Sequence, residues 1–304
     1  MTESLHAYMQ VGLIHFMAYP STMQGQGPLV QTLRQVAVDD YFDAVEVTHI
    51  HDPGVRAQAK AMLAQSHLTV CYGAQPRLLG SGLNPNDLDE AGRKQAEALL
   101  IASIDEAHEL GATGIGFLAG HWDKGQKDAC YAQLVKTTRA LCNYAKPLGM
   151  QVELEVFDYD LDKKSLIGPA PYAAKFAAQM RSEVTNFGLI VDLSHLPQTY
   201  EDAQFALRVM RPYITHLHIG SAVLQPGAVA FGYTHPRFGF LHGVNDVPEV
   251  AEFLQVCLDE GILCTRSPMV LSFEVKPWEG ETPDIVIANA KRVLNRAWAL
   301  VEQK

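Results

Sequence analysis

The sequence predicts a single (β/α)8 barrel. Three observations lead to this prediction: β-rich runs alternate with amphipathic helical segments along the whole chain, eight such runs occur, and the chain has 304 residues. Eight strands alternating with about eight helices match this fold in number and order, and such barrels typically have roughly 250 residues. No Pro-, Gly- or Ser-rich linker and no block of charge divides the chain, so residues 1–304 are expected to form one domain.

The predicted strands are short apolar runs, and the segments between them have helical periodicity. The strands begin near Val11, Asp43, Leu68, Thr113, Gln151, Phe187, Tyr213 and Met269. Residues 95–110 repeat apolar side chains at helical spacing, and Gly111 follows at the position where glycine ends a helix. The same spacing predicts a last helix over residues 286–301. A doubly wound open sheet is the alternative. It is disfavoured because no G-x-G-x-x-G follows the first strand and no P-loop occurs.

Two predicted connections are longer than is usual in α/β proteins. They cover residues 73–88 and residues 220–245, and both follow the carboxyl end of a strand. Long loops at that end of a barrel usually shape the pocket. We therefore expect both loops to lie on the functional face.

Composition excludes several classes of protein. A formal charge of −10 disfavours binding to nucleic acid or to anionic lipid. The first ten residues lack the pattern of a secretory signal, and no stretch reaches the ~18 apolar residues that a membrane span needs. A cytoplasmic protein without membrane or nucleic-acid partners is expected. The five cysteines are odd in number and form no C-x-x-C pair, so they are expected to be reduced packing residues.

Four runs in the second half of the chain end in a residue type that can hold a divalent metal. They are VELE, FGLIVD, ITHLH and MVLSFE, which end at Glu155, Asp192, His218 and Glu274. Three carboxylates and one imidazole form a mostly oxygen ligand set, which suits Mn²⁺, Mg²⁺ or Co²⁺ better than a thiolate-rich zinc site does. The sequence therefore predicts a metal enzyme with its site at these strand ends.

The alternation of side chains along a strand predicts a polar layer beneath this site. If Glu155 points into the barrel, Glu153 does so one layer deeper, and His216 lies in the same way below His218. A buried carboxylate and a buried imidazole are costly when unpaired. We predict that Glu153 and His216 are buried and that they pair with each other or with a metal ligand.

The chain resembles the xylose-isomerase-like barrels, a family that includes ketose 3-epimerases, hydroxypyruvate isomerase, inosose dehydratase and endonuclease IV. The segments that carry the resemblance are LEVFD, VDLSHLP, HLHIG and SFEVKP, which follow one another in the family's order. The resemblance implies that Glu155, Asp192, His218 and Glu274 chelate one divalent cation. Mn²⁺ is the expected ion, with Mg²⁺, Co²⁺ and Zn²⁺ as alternatives.

The resemblance also implies a reaction at a hydroxy-carbonyl group. A chelated cation stabilises the enediolate that forms when a C–H proton is removed. Glu155 and Glu274 would act as acid and base from different strands, which permits epimerisation or aldose-ketose isomerisation of a small carbohydrate. His121, in LAGHWD after the fourth strand, is a further candidate catalytic base.

Five other residues are candidates for contact with substrate. His195 matches the family histidine that bonds substrate, and Lys276 follows the eighth-strand glutamate by two residues. Arg237 offers a planar fork for a hydroxyl, carboxylate or phosphate, although the family arginine lies closer to the seventh strand. Glu46 and His235 are the remaining candidates, and His235 and Arg237 have the alternative role of bracing their loop.

Two other functions remain as alternatives. The first is a lyase, of the dehydratase or 3-keto-C-glycoside deglycosidase type, in which His121 supplies an extra acid or base. The second is a non-catalytic barrel that binds sugar or metal. Endonuclease activity is disfavoured because Tyr233 stands where that enzyme has an aspartate two residues before His235. Barrels of this kind often form dimers or tetramers, which leaves a homo-oligomer or a hetero-oligomer open.

Overall fold

Eight parallel strands close into a barrel in sequence order, with β8 paired to β1. A computed structural model describes residues 3–302. The strands are β1 Met9–Ile14, β2 Ala44–Val47, β3 Thr69–Gly73, β4 Gly114–Leu118, β5 Gln151–Glu155, β6 Phe187–Asp192, β7 Ile214–Gly220 and β8 Met269–Glu274. Each begins within two residues of its predicted start, so the predicted (β/α)8 fold is confirmed.

The helices alternate with the strands and surround them. They are α1 His15–Ala18, α2 Leu29–Ala37, α3 Pro53–Ser66, α4 Gln75–Ser81, α5 Glu90–Glu109, α6 Lys127–Ala145, α7 Ala170–Glu183, α8 Ala203–Met210, α9 Val247–Asp259 and α10 Pro283–Leu300. None of these helices within residues 3–302 is both long and apolar enough to cross a membrane.

The end of α5 shows why Gly111 stops this helix. Gly111 has φ +81°, and its amide donates to the carbonyl of His108 at 3.1 Å. The amide of Ala112 donates to the carbonyl of Ala107 at 2.9 Å. These two bonds form a Schellman motif, in which glycine takes up the left-handed conformation at no steric cost.

The two long connections differ from each other. Residues 73–88 contain the short helix α4, with Pro76 in its first turn and Gly82 at its end at φ +68°. Residues 220–245 contain no helix or long strand and are held by isolated bridges, such as Val223 with Phe231. A further long connection follows β5, over residues 156–169.

The strands divide their side chains between two environments. Outward residues such as Val45, Leu154 and Phe273 join the apolar core that packs against the helices. Inward residues at the carboxyl ends of β2, β5, β6, β7 and β8 are polar. Since neighbouring strands place Asp192 beside His218 in register and Gly220 beside Glu274, the four predicted ligands lie at the same end of the barrel.

Candidate metal centre

The four strand-end residues converge in the barrel interior. Glu155, Asp192, His218 and Glu274 are all buried, at 2, 0, 1 and 8 % exposure. Nδ1 of His218 lies 3.0 Å from Oε2 of Glu274 and 3.4 Å from Oε1 of Glu155. One ligand atom from each of these three residues lies within 4.8 Å of the others. Such a cluster is compact enough to surround a single ion.

Asp192 belongs to an overlapping cluster that includes Glu274. One ligand atom each from Asp192, His195, His235 and Glu274 lies within 4.8 Å of the others. Oδ2 of Asp192 also accepts a short hydrogen bond from the hydroxyl of Ser194, whose amide donates to Oδ1 at 2.8 Å. These bonds fix the aspartate side chain at the edge of the site.

The electrostatics of the cluster favour a cation. Burial and then the charge of Glu155, with a further contribution from Asp192, raise the pKa of Glu274 well above its ordinary value. Three carboxyl groups confined in a low-dielectric interior repel one another when all are ionised. A divalent cation removes that repulsion more completely than the single histidine does.

Among the buried polar atoms of the described residues that have no hydrogen-bond partner, two belong to the ligand clusters. They are Oε1 of Glu155 and Nε2 of His195. Since buried polar atoms are nearly always satisfied, unpaired atoms here are expected at a site that holds a further group. The donor set and these two atoms together fit a divalent metal.

His195 has one nitrogen committed to the backbone. Its Nδ1 donates to the carbonyl of Val156 at 2.9 Å, because a carbonyl can only accept. In the neutral ring, Nε2 then carries the lone pair, and it lies 3.2 Å from Oδ2 of Asp192. The ring packs between Phe157 and Tyr233, with centroids 4.3 and 4.7 Å away. His195 therefore offers a fixed acceptor to a hydroxyl or a cation in the cluster.

His235 contacts the oxygen of Glu274 that His218 does not face. Its Nε2 is 3.3 Å from Oε1 of Glu274, and its Nδ1 is 3.3 Å from the hydroxyl of Ser194. Burial is the largest cause, and together with nearby positive charges such as those of Lys163 and Lys276 it lowers the pKa of His235 well below its ordinary value. His235 is therefore a neutral ring, and its carbonyl accepts from the amide of Lys276 at 2.7 Å.

A polar layer lies beneath the cluster, as predicted. Glu153 and His216 are buried at 8 and 2 % exposure, and Nδ1 of His216 is 3.5 Å from Oε2 of Glu153. Its Nε2 is 2.9 Å from Oε1 of Glu46. Burial opposes protonation of His216, but Glu46 and Glu153 outweigh it and raise the pKa of His216 to about 9. The paired burial of Glu153 and His216 is therefore confirmed.

A cavity of about 170 Å³ opens above the cluster. One wall is apolar and contains Ile14, Phe16, Met17 and Met23. The other wall is polar and contains Lys163, Lys276, Tyr233 and His235, with Glu155 and Glu274 at the base. The site can therefore hold a small molecule with its reactive group against the carboxylates.

Four of the predicted site residues are not part of the cavity wall. Asp192 and His195 belong to the ligand cluster, whereas His121 and Arg237 belong to neither. His121 is exposed, and its carbonyl accepts from the side chains of Asn84 and Asn86 at 3.0 and 2.7 Å. The side chain of His121 does not line the cavity. Arg237 pairs through Nε with Oε1 of Glu281 at 2.7 Å and donates to two backbone carbonyls, so it braces its own loop.

Two residues of the site were not predicted. Gln75, the first residue of α4, donates from Nε2 to Oε2 of Glu155 at 2.8 Å. Gly116 makes room for this amide, because a Cβ there would lie 3.1 Å from Nε2 of Gln75 and 2.8 Å from Cδ1 of Ile190. Lys163 comes from the connection after β5 and lies with its Nζ 5.1 Å from the centre of the Tyr233 ring.

The family is established by a match between residues 35–262 and a family model described as a xylose isomerase-like TIM barrel. The chain belongs to the xylose isomerase-like TIM barrel family. A comparison with curated protein sequences finds no match. The strands β1 and β8 and the helix α10 lie outside the matched region, although β1 and β8 close the same barrel.

Several solved structures resemble this xylose isomerase-like barrel. D-Psicose 3-epimerase from Clostridium cellulolyticum H10 has a TM-score of 0.71 at 18% identity, covering 97% of this chain and 100% of the other. A 3-keto-D-glucoside 4-epimerase from E. coli has a TM-score of 0.68 at 14% identity, covering 94% and 99%. AP endonuclease family 2 from Brucella melitensis has a TM-score of 0.63 at 17% identity, covering 93% and 98%. At these identities the resemblance establishes the fold.

Proposed function

We propose that this protein is a divalent-metal-dependent isomerase or epimerase of a small carbohydrate or hydroxy-carbonyl compound. The observation that carries the proposal is the convergence of Glu155 and Glu274 on His218 at the base of a small-molecule cavity. Sugar epimerases among the structures of the same fold are consistent with this function.

The proposed metal site consists of Glu155, Asp192, His218 and Glu274, and Mn²⁺ is the proposed ion because oxygen ligands predominate. When bound, a divalent cation polarises a carbonyl group and stabilises the negative charge left by removal of a neighbouring proton. The protein must then supply the groups that take and return that proton.

Glu155 and Glu274 are the proposed proton-transfer groups. They come from β5 and β8, so they approach the cavity from different sides of the barrel. For epimerisation, one carboxylate removes the proton from carbon and the other returns a proton to the opposite face; for isomerisation, a single carboxylate removes the proton and returns it to the neighbouring carbon, while a proton moves from one substrate oxygen to the other. The first outcome inverts a stereocentre, and the second interconverts an aldose and a ketose.

Three further residues have proposed binding roles. The fixed Nε2 of His195 accepts a hydrogen bond from a substrate hydroxyl. Lys276 and Lys163, on the polar wall of the cavity, donate hydrogen bonds to oxygen atoms of the substrate. The apolar wall at Phe16 and Met17 excludes water from the reacting carbon. His121 and Arg237 have no part in this proposal, because neither lines the cavity nor belongs to the ligand clusters.

The test is proton exchange during turnover of a panel of ketoses, aldoses and keto-glycosides in D₂O with Mn²⁺. We expect deuterium at an inverted or relocated carbon, observed by NMR, and loss of the reaction in EDTA. Glu274→Gln should abolish turnover, whereas Glu281→Gln, a matched change at a residue that pairs with Arg237, should retain it. Release of water or of an aglycone would indicate a lyase instead. Absence of exchange with every carbonyl compound would refute the proposal.

A further inference from the structure

Glu46 occupies an unusual position beneath the proposed metal site. It lies on β2, on the far side of the barrel from β7, and is 3 % exposed. Its Oε1 is 3.1 Å from Nε2 of His218 and 2.9 Å from Nε2 of His216. Among residues 3–302, no lysine or arginine forms an ion pair with this carboxylate. Both of its charge partners are therefore histidines.

The two nitrogens of His218 face different groups. Nδ1 points to Glu155 and Glu274, at 3.4 and 3.0 Å, whereas Nε2 points to Glu46. An imidazole nitrogen that binds a cation must carry a lone pair, which requires the proton of the neutral ring to be on the other nitrogen. A carboxylate at Nε2 stabilises that proton and thereby frees Nδ1 for the ion.

We propose that Glu46 is a positioning residue, which holds the ring of His218 and its Nε2 proton so that Nδ1 faces the metal. This inference rests on the proposed metal site. Carboxylates that accept from a metal-binding histidine typically raise metal affinity, because they fix both the tautomer and the orientation of the ring.

The contacts with His216 and His218 explain how the carboxylate of Glu46 stays ionised although it is buried. His216 bridges Glu46 and Glu153, with its two nitrogens 2.9 and 3.5 Å from their oxygens. His216 and His218 together therefore compensate the buried charge of Glu46, whose isolated burial would be costly. Both rings contact the same oxygen, Oε1 of Glu46.

A direct role of Glu46 in substrate binding is the competing interpretation, since Glu46 is also part of the cavity wall. The two roles differ in what they change. A positioning residue affects the affinity for metal when no substrate is present, whereas a substrate contact affects KM and leaves metal affinity unchanged.

The experiment measures Mn²⁺ binding to the metal-free, full-length protein without substrate, for example by EPR of the free ion. Glu46→Gln removes the charge and retains the shape, and Glu46→Asp retains the charge and withdraws the oxygen. Glu153→Gln is the matched control, because Glu153 contacts His216 and not His218. Thermal unfolding of each metal-free variant shows whether it is folded.

We expect the Kd for Mn²⁺ to rise about tenfold or more in both Glu46 variants and by less than about twofold in Glu153→Gln. Two variants are used so that a folding defect in one leaves the other as the test. Wild-type affinity for Mn²⁺ in a folded Glu46 variant, with or without a raised KM, would overturn the inference. If the wild-type protein binds no Mn²⁺, the proposed metal site itself fails, which is a separate result.

Discussion

His15 shows how a single histidine can be structural although it lies close to the candidate site. It is the first residue of α1, is 1 % exposed, and its Nε2 lies 2.8 Å from the hydroxyl of Thr32. Burial lowers the pKa of His15 to about 3. The folded protein therefore keeps this ring neutral at pH values where the unfolded chain binds a proton.

This shift predicts a specific dependence of stability on pH. The contribution of His15 is fully present above the unfolded pKa of 6.5 and is lost as the pH falls from 6.5 towards 3. Between pH 7 and pH 5 the wild-type protein should lose about 2 kcal/mol of unfolding free energy relative to His15→Gln. Denaturant titrations at several pH values measure this difference.

The control for this prediction is His108→Gln, which removes an exposed histidine from α5. Its unfolding free energy should follow that of the wild-type protein at each pH. Parallel curves for the wild-type protein and His15→Gln would show that His15 does not titrate as expected.

Residue types alone did not decide which polar side chains reach the site. Glu155, Asp192, His218 and Glu274 follow from strand ends and alternation, both of which can be read from sequence. Glu46 and Gln75 could not be assigned their contacts in this way, because each reaches a ligand from another strand or helix. Glu46 and His218 are 172 residues apart in the chain.

At the scale of elements, the connection after β5 is ordered by one buried carboxylate. Asp158 is 0 % exposed and accepts from the backbone amides of Leu161, Asp162, Lys163 and Lys164 at 2.5 to 3.3 Å. A carboxylate that accepts several amide bonds fixes the local backbone. The result is that Lys163 lies on the polar wall of the cavity.

Removing this carboxylate should loosen the connection without affecting the metal site. Asp158→Asn leaves a single acceptor oxygen, so hydrogen exchange at residues 161–164 should accelerate, and stability should fall by about 1–3 kcal/mol. Mass spectrometry of peptides from this segment measures the exchange. Asp160→Asn, at an exposed position in the same connection, should behave as the wild-type protein does. Unchanged protection in Asp158→Asn would mean that other contacts order the segment.

The loops were predicted less well than the strands and helices. The helix α4 within the connection of residues 73–88 was not predicted, although Pro76 and Gly82 mark its two ends. The segment after β5 contains no hydrophobic periodicity, and its shape depends on four amides that share one buried carboxylate. Such a local network is not visible as a repeating pattern.

At the scale of the whole molecule, closure of the barrel confines three carboxyl groups at one end. A ligand that binds only the folded state stabilises it, and Mn²⁺ at 100 times its Kd should add about 2.7 kcal/mol. We therefore expect Mn²⁺ to raise the unfolding temperature and EDTA to lower it. Differential scanning calorimetry at several Mn²⁺ concentrations measures the effect.

Glu274→Gln should largely remove the stabilisation of the protein by Mn²⁺. Since burial and Glu155 raise the pKa of Glu274, ionisation of this group at pH 8 opposes folding of the metal-free protein. The metal-free variant should be at least as stable as the metal-free wild-type protein at pH 8, and Mn²⁺ should stabilise it little. A variant that is less stable without metal, and equally stabilised by Mn²⁺, would exclude Glu274 as a ligand.

The eight-stranded barrel, the inward direction of the four strand-end residues and the buried pair beneath them could all be predicted from the sequence. These features follow from periodic patterns, since alternation along a strand fixes the side on which each residue lies. The partners of Glu46, Gln75 and Arg237 and the exposure of His121 depend instead on the folded chain. Barrel closure sets the first two, because they reach ligands on other strands. Loop conformation sets the others, since Arg237 has Glu281 within reach and the His121 carbonyl is held by two asparagines.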